Sequence, residues 1–586
     1  MSVHSCPFVV SKGAMAELDY RNVNSLWGSV LVETFVRCGL RQAVISPGSR
    51  STPLTIQFAA HPGIEAIPVL DERSAAFFAL GLARRSGRPV VLLCTSGTAG
   101  SNYFPAIIEA RESGVPLVVI TADRPPEMRE CRSGQTIDQQ KIFGGYVEFY
   151  HELAVPEATL PLLAYLRQTV VHAVERTRWP VVGPVHLNAP FRDPLPPVAD
   201  GSAAALEGKI TARFFAGINT IVVRRERRTT LTLGGRGVIV AGQARPADAR
   251  AYARAIGRLA RQLGWPVIAD GLSPLRNFRR EVPGLVTTYD VIARSAVAQG
   301  ALRPEQVLCL HEWPTSKTLR QWLQAADAPV TLVTERKDNA DALHARTQIV
   351  RTDVIGLKVQ VRRRAPRAWA QTWAAAEQQA AGALRRGLAR ADFLFEGLVA
   401  ARLPALLPRG TVMMVANSMP VRDVEYFWPA NDRAHTVHCN RGANGIDGNV
   451  STALGLMHGR AAGVLLTGDL AFLHDANALL LAKKFRGSLT VIVINNDGGG
   501  IFGHLPVAQF EPPFEEFFAT PQAVDLRKLC AAHGVRHVGV RDLRQLETLL
   551  AQTPKRGLRV LEVRTDRKRD AAFRKDLFAE AASRLN

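Results

Sequence analysis

The sequence predicts an α/β chain of three domains, each a parallel sheet flanked by helices. Short β-rich runs alternate with helical stretches, most of the runs end in polar or glycine-rich turns, and two proline- or arginine-rich segments divide the pattern into three. In the first domain AVIS (43–46), AIPVL (66–70), PVVLLCT (89–95) and PLVVITA (116–122) read as strands in βαβα order. That order needs crossover connections, and so a parallel sheet. These strands end in SPGSRST, DER, TSGTAG and ADRPP, which must share one sheet edge. Ligands of open parallel sheets bind beyond that edge.

Met15 opens MAELDYRNVNSLW, read as the start of an ordered helix, with residues 1–14 as a loose tail or an over-long start. The proline-rich NAPFRDPLPP (188–197) marks the first boundary, because proline interrupts both helix and central strand. A second unit begins at GVIVAG (237–242) and continues through a helix over 246–263 and WPVIAD (265–270). RRRAPR (362–367) marks the second boundary, before an alanine-rich helix over 368–391. The third unit carries TVMMVAN (411–417), AGVLLTGD (462–469) and LTVIVIN (489–495), and repeats the architecture of the first. The expected domains are 16–200, 205–365 and 370–586.

With 586 residues, 47% of them hydrophobic and 21% charged, the chain is neither disordered nor collagen-like. No apolar run approaches the roughly 18–20 residues of a membrane span. Seven dispersed cysteines without a C-x-x-C pair exclude the usual zinc and redox motifs and fit a reducing cytosol. The N-terminus lacks a charged start and an apolar core, so a cytoplasmic location is expected. Lys plus Arg exceed Asp plus Glu by 73 to 52, a formal charge of +21, which suits acidic partners without choosing among them. The densest basic runs, RRERR (224–228), RRRAPR (362–367) and RKRDAAFRK (567–575), have no interleaved aromatic pattern and read as solvated faces and linkers.

The most informative segment is GVLLTGDLAFLHDANALLLAKKFRGSLTVIVINNDGGGIF (463–502). One strand ends at Gly468-Asp469-Leu470, a helix follows, and the next strand ends at Asn495-Asn496 before three glycines. Asp469 and Asn496 can converge on one cation through oxygen ligands that suit Mg²⁺. Gly498, Gly499 and Gly500 let the backbone approach a metal-bound diphosphate closely. An aspartate cap and an Asn-Asp-Gly turn account for the same residues singly.

Gly-Asp-Leu followed after 24 residues by Asn-Asn resembles the signature of thiamine-diphosphate enzymes. The resemblance implies thiamine diphosphate with Mg²⁺, or Mn²⁺, held by Asp469, Asn496 and the Gly498 carbonyl. It also implies that Glu72, in VLDERSAAFFALGLA, is the glutamate that serves N1′ of the cofactor's aminopyrimidine. At a helix start, Glu72 would otherwise complement the helix dipole. SPGSRSTPL (46–54), TSGTAGSNYFPAIIEA (95–110), TADRPPEMRECRSGQTIDQ (121–139), NSMPVRD (417–423), CNRGANGIDG (439–448) and NNDGGGIF (495–502) together resemble the 2-succinyl-5-enolpyruvyl-6-hydroxy-3-cyclohexene-1-carboxylate synthase family. The matches span about residues 20–530 and are thin in the middle domain, and Gly-Asp-Leu in place of Gly-Asp-Gly also fits that family.

Carried over residue by residue, the likeness assigns Ser49, Arg50, Arg124, Gln135, Arg422 and Arg441 to substrate recognition. Lys317 in PTSKTLRQW has weaker support, because Thr318 stands where relatives can carry a second basic residue. Ile446, Ile501 and Phe502 would be apolar walls around the cofactor. The implied substrates, 2-oxoglutarate and isochorismate, are both dicarboxylates, which arginine's fixed fork of donors suits. The implied reaction is decarboxylation of 2-oxoglutarate and 1,4-addition of the resulting succinyl carbanion to isochorismate, in menaquinone biosynthesis. A homodimer or dimer of dimers is expected, with each cofactor between the first domain of one subunit and the third of another. The rivals are another thiamine lyase, such as acetohydroxyacid synthase or a 2-oxoacid decarboxylase, and, from a different class, a basic nucleic-acid-binding protein. Flavin absorbance or pyruvate turnover marks the first; salt-steep retention on DNA or RNA marks the second.

Overall fold

A computed structural model describes residues 15–219, 229–460 and 462–585, so the expected N-terminal tail and the basic run 224–228 lie outside the described residues. The chain divides into two compact units, Met1–Val223 and Arg224–Asn586.

The first unit holds a six-stranded, wholly parallel sheet of β1 (Gln42–Ile45), β2 (Glu65–Pro68), β3 (Val90–Cys94), β4 (Leu117–Asp123), β5 (Tyr150–Glu152) and β6 (Pro184–Pro190), in the order β2-β1-β3-β4-β6-β5. β3, β4 and β6 are buried along their whole length, as continuous apolar runs in a sheet covered on both faces should be. Two local expectations are corrected. Met15–Asn22 is not helical; the helix Val23–Arg37 starts after Asn22, whose side-chain oxygen accepts from Ser25 N at 2.8 Å and whose amide donates to Pro196 O and Val198 O. The proline-rich boundary also begins later than expected, since β6 runs through Asn188 and Ala189 to Pro190. Its two prolines sit at the strand's ends, where a missing N–H breaks no interior ladder bond.

The second unit holds two further six-stranded parallel sheets. β7 (Thr229–Leu233) pairs with β14 (Leu357–Val361) as a separate ribbon. β8 (Gly237–Ala241), β9 (Val267–Ala269), β10 (Leu285–Val286), β11 (Gln306–Leu310), β12 (Val330–Val333) and β13 (Thr347–Val350) lie in the order β10-β9-β8-β11-β12-β13. β15 (Val412–Val415), β16 (Thr436–His438), β17 (Gly463–Gly468), β18 (Ser488–Asn495), β19 (Arg536–Val540) and β20 (Gly557–Arg564) lie in the order β16-β15-β17-β18-β20-β19. Numbered from its own first strand, this last sheet has the order 2-1-3-4-6-5, as does the sheet of the first unit, so one architecture is used twice. The strand order reverses between β1 and β3 and between β15 and β17. A crevice at the carboxyl edge is expected at each such reversal.

No helix among the described residues is long and apolar enough to cross a membrane.

Candidate active site

In the first unit the reversal between β1 and β3 brings SPGSR against TSGTAG. A Cβ on Gly48 would lie 2.2 Å from Thr95 Cβ, so only glycine permits the approach. Arg50 N donates to Thr95 Oγ1 at 3.2 Å, and Arg50 Nη1 to Phe191 O at 2.9 Å. Arg124, just after β4, donates from Nη1 to Ser96 Oγ at 2.7 Å and to Gln135 O. Gln135 returns its amide to Ser96 O at 3.0 Å. Three predicted residues, Arg50, Arg124 and Gln135, are thus gathered around Thr95 and Ser96. Ser49 is exposed and Arg50 buried. Arg124 loses some of its basicity, chiefly to burial and then to the neighbouring Arg50 charge.

Glu72 stands at the first position of the helix Glu72–Ser86, capped by Asp71, whose carboxylate accepts from Ser74 N at 2.7 Å. It is half-buried, and desolvation raises its carboxyl above the ordinary range, with Asp71 adding a smaller push. Such a group shares a proton more readily than a solvated glutamate does.

In the second unit Asn417, two residues past β15, anchors the neighbouring segment. Its amide donates to Asn440 O at 2.6 Å and Gly445 O at 2.7 Å, and its Oδ1 accepts from Arg441 Nη1 at 3.1 Å. Ser418 follows with φ of +68°, and its carbonyl accepts from Arg422 Nη1 at 2.7 Å. Burial lowers the basicity of Arg422, and Arg441 is among the further charges acting on it. Among the described residues, the side-chain hydrogen bonds of Arg50, Arg124, Arg422 and Arg441 all leave from Nη1. Among the described residues, no hydrogen bond leaves the Nε–Nη2 edge of any of the four, the two-pronged side that matches a carboxylate, and Arg50 Nε is buried.

β17 and β18 lie side by side, with Gly468 opposite Ile494. Asp469 follows the first strand and Asn496 the second, both buried. The register closes through Gly498, whose N–H donates to Asp469 Oδ2 at 2.8 Å. Gly498 has φ of +130°, and a Cβ there would lie 2.3 Å from Ala519 O. Burial pushes the Asp469 carboxyl up to about 6, against the pull of the Leu470 and Gly498 amides. Asn496 Oδ1 is buried without a hydrogen-bond partner, a costly state for an amide oxygen unless a cation or water takes it. One carboxylate, one unpaired amide oxygen and the Gly498 carbonyl form a hard, all-oxygen donor set that fits Mg²⁺. No cluster of three or more His, Cys, Asp or Glu suited to a metal occurs among the described residues, as expected where an amide and a carbonyl supply two of three ligands.

Ile446, Ile501 and Phe502 are half-buried, and Phe502 meets Phe518 edge-on at 5.9 Å. Lys317 is exposed at the start of the helix Lys317–Ala326, beyond β11, and no described hydrogen bond joins it to the other predicted residues. Two residues that the sequence reading passed over lie against the cation site. Glu396 accepts from Asn496 Nδ2 at 3.4 Å, and Arg574 donates to Glu396 at 2.8 Å. Arg574 belongs to the run 567–575 that reads as a solvated face. This is corrected: Arg574 is 3% exposed, on the inner side of the helix Arg567–Ser583.

Three family models match the chain. "Thiamine pyrophosphate enzyme, N-terminal TPP binding domain" covers residues 27–142, "Middle domain of thiamine pyrophosphate" 219–415, and "Thiamine pyrophosphate enzyme, C-terminal TPP binding domain" 421–563. The chain is 50% identical over 584 residues to 2-succinyl-5-enolpyruvyl-6-hydroxy-3-cyclohexene-1-carboxylate synthase of Synechococcus sp. (strain JA-3-3Ab), covering 96% of this chain and 98% of that protein. It is 48% identical over 570 residues to the enzyme of the same name from Gloeothece citriformis (strain PCC 7424), at 95% and 98% coverage. A solved structure, benzoylformate decarboxylase from Polynucleobacter necessarius, has the same fold, with a TM-score of 0.64 at 15% identity over 92% of this chain and 98% of that one.

Proposed function

Because the chain belongs to the 2-succinyl-5-enolpyruvyl-6-hydroxy-3-cyclohexene-1-carboxylate synthase family of thiamine-diphosphate enzymes, we propose that it decarboxylates 2-oxoglutarate and adds the remaining succinyl unit to isochorismate. The product is 2-succinyl-5-enolpyruvyl-6-hydroxy-3-cyclohexene-1-carboxylate, with release of carbon dioxide, as a step of menaquinone biosynthesis. The observation that supports this reading most directly is the pair of buried ligands, Asp469 and the unpartnered Asn496 oxygen, at the carboxyl ends of the neighbouring strands β17 and β18.

Thiamine diphosphate, when bound, supplies the electron sink for loss of carbon dioxide and for the new carbon–carbon bond. Asp469, Asn496 and the Gly498 carbonyl would hold Mg²⁺, or Mn²⁺ in its place, which would neutralise the diphosphate charge. The backbone of Gly499 and Gly500 offers close approach, and Ile446, Ile501 and Phe502 exclude water from the cofactor. Glu72 holds a proton at N1′ of the aminopyrimidine, a task its raised pKa suits. Arg50, Arg124, Arg422 and Arg441 present their Nε–Nη2 edges to the substrate carboxylates, and Ser49, Gln135 and Lys317 complete their recognition. Neutralising two dicarboxylates while holding them in register supplies the orientation that the bond formation needs.

The active assembly is a homodimer or a dimer of dimers, in which the Glu72 edge of one subunit works with the Asp469 edge of another. It acts in the cytosol, which suits the six described cysteines, none of them in a disulfide. The test is reconstitution: the purified chain with thiamine diphosphate, Mg²⁺, 2-oxoglutarate and isochorismate should form the product by mass, and omitting the cofactor should abolish it.

A further inference from the structure

An asparagine ligates a cation through its oxygen only, and a half-turn of the amide would present two N–H groups instead. Whatever accepts from the amide nitrogen therefore decides whether Asn496 is a ligand at all. Glu396 is the described acceptor for Nδ2, through Oε2 at 3.4 Å. Glu396 is 3% exposed and opens the helix Glu396–Leu406. Its other oxygen accepts from Arg574 Nη2 at 2.8 Å, so the carboxylate is itself fixed. The Arg574 guanidinium also donates to Asp423, next to Arg422, and its Nη1 lies 3.0 Å from His504 Nε2. Gly500 leaves the room: a Cβ there would lie 2.7 Å from Asn496 Nδ2.

We propose that Glu396, held by Arg574, is a positioning residue that turns the Asn496 amide so that its oxygen is left for the cation. The proposal rests on the reading of Asp469 and Asn496 as Mg²⁺ ligands. Ionised, Glu396 has two acceptor oxygens and meets both donors. A glutamine there has one oxygen and can satisfy either Arg574 or Asn496, so the amide orientation at 496 is released. Partners of this kind, one bond removed from a metal, typically set its affinity by about 10–100-fold.

The experiment measures binding without turnover, titrating Mn²⁺ into the full-length protein with thiamine diphosphate and following the free-ion signal by electron paramagnetic resonance. Glu396→Gln should weaken Mn²⁺ by about 10–100-fold. In the Asn496→Asp background both side-chain atoms are oxygens, so turning has no consequence, and Glu396 faces a like charge. The same Glu396→Gln change should then leave Mn²⁺ affinity unchanged or raise it. Equal weakening in both backgrounds, or wild-type affinity in Glu396→Gln, overturns the positioning role. Failure of the wild-type protein to bind Mn²⁺ with the cofactor overturns the cation-site reading beneath it. Metal-free thermal melts show whether each variant folds. Should Glu396→Gln not fold, Glu396→Asp keeps the charge near Arg574 while withdrawing the acceptor from Asn496, and carries the same expectation.

Discussion

The Gly498 amide donates to Asp469 Oδ2 at 2.8 Å, tying the turn after β18 to the residue that follows β17. The bond fixes the carboxylate and brings the Gly498 carbonyl to the same strand end. Asp469→Ala should therefore abolish measurable cofactor binding in the presence of Mg²⁺. Gly498→Ala keeps every side-chain ligand, yet forces φ of +130° and a 2.3 Å approach to Ala519 O on a residue with a Cβ. It should lower affinity by roughly tenfold or more, since about 1–3 kcal/mol of strain falls on the ligand turn. Calorimetry showing wild-type affinity in both variants would remove the site from this strand end.

Glu72→Gln should retain cofactor binding and lose activity by about 10²–10⁴-fold, the usual worth of an acid–base group. Mixed with Asp469→Ala subunits, it should regain roughly a quarter of wild-type activity, because half of randomly formed dimers are mixed and each of these has one intact site of two. Recovery absent despite proven subunit exchange would argue against a site shared between subunits.

Among the described residues the four arginines share a pattern, with Nη1 bound to the protein and no hydrogen bond from the Nε–Nη2 edge. Arg→Lys at 50, 124, 422 and 441 keeps the charge and removes the fork. At least two of these changes should lower kcat/KM by about tenfold or more, selectively for one substrate, as expected where a bidentate pair is lost. Uniform wild-type behaviour would mean that long-range charge, not paired recognition, attracts the acids.

Much of this site is legible in the chain because its parts are local. Asp469, Asn496 and three glycines fall within one strand–helix–strand stretch, and Arg50 and Arg124 sit in turns that end apolar runs. Glu396 is not legible, since 100 residues separate it from Asn496, and Arg574 lies 178 residues from Glu396 inside a run of charges. The inward face of that helix appears only when it packs against Phe395 and Phe427, whose rings lie within 6 Å of the Arg574 guanidinium. Prolines hid β6 for a related reason: they look like breakers, but at a strand's two ends they break nothing. MAELDY looks helical in the sequence, whereas the helix starts only after Asn22, which caps it at Ser25 N and whose amide is tied to the remote Pro196 and Val198 carbonyls.

Glu425, buried between Tyr289, Gly271 N and Arg276, gives the fold a pH dependence. Burial pushes its carboxyl from 4.5 up to about 8, so the folded state holds a proton that the unfolded chain releases. Stability from this group is therefore present at low pH and declines as pH rises from about 4.5 through about 8. Glu425→Gln, which cannot ionise, should flatten that decline. The melting temperature of the wild-type protein should fall by a few degrees more than the variant's between pH 5.5 and 8.5 (roughly 2–4 °C per kcal/mol). Parallel profiles would show that Glu425 is ionised throughout.

The most direct test of the assigned reaction uses uniformly carbon-13-labelled 2-oxoglutarate with unlabelled isochorismate, thiamine diphosphate and Mg²⁺. The account predicts a product carrying four of the five labelled carbons, with the fifth recovered as carbon dioxide, and no product when either substrate is omitted. Turnover of pyruvate instead, release of a labelled four-carbon acid without joining to isochorismate, or retention of all five carbons would contradict it.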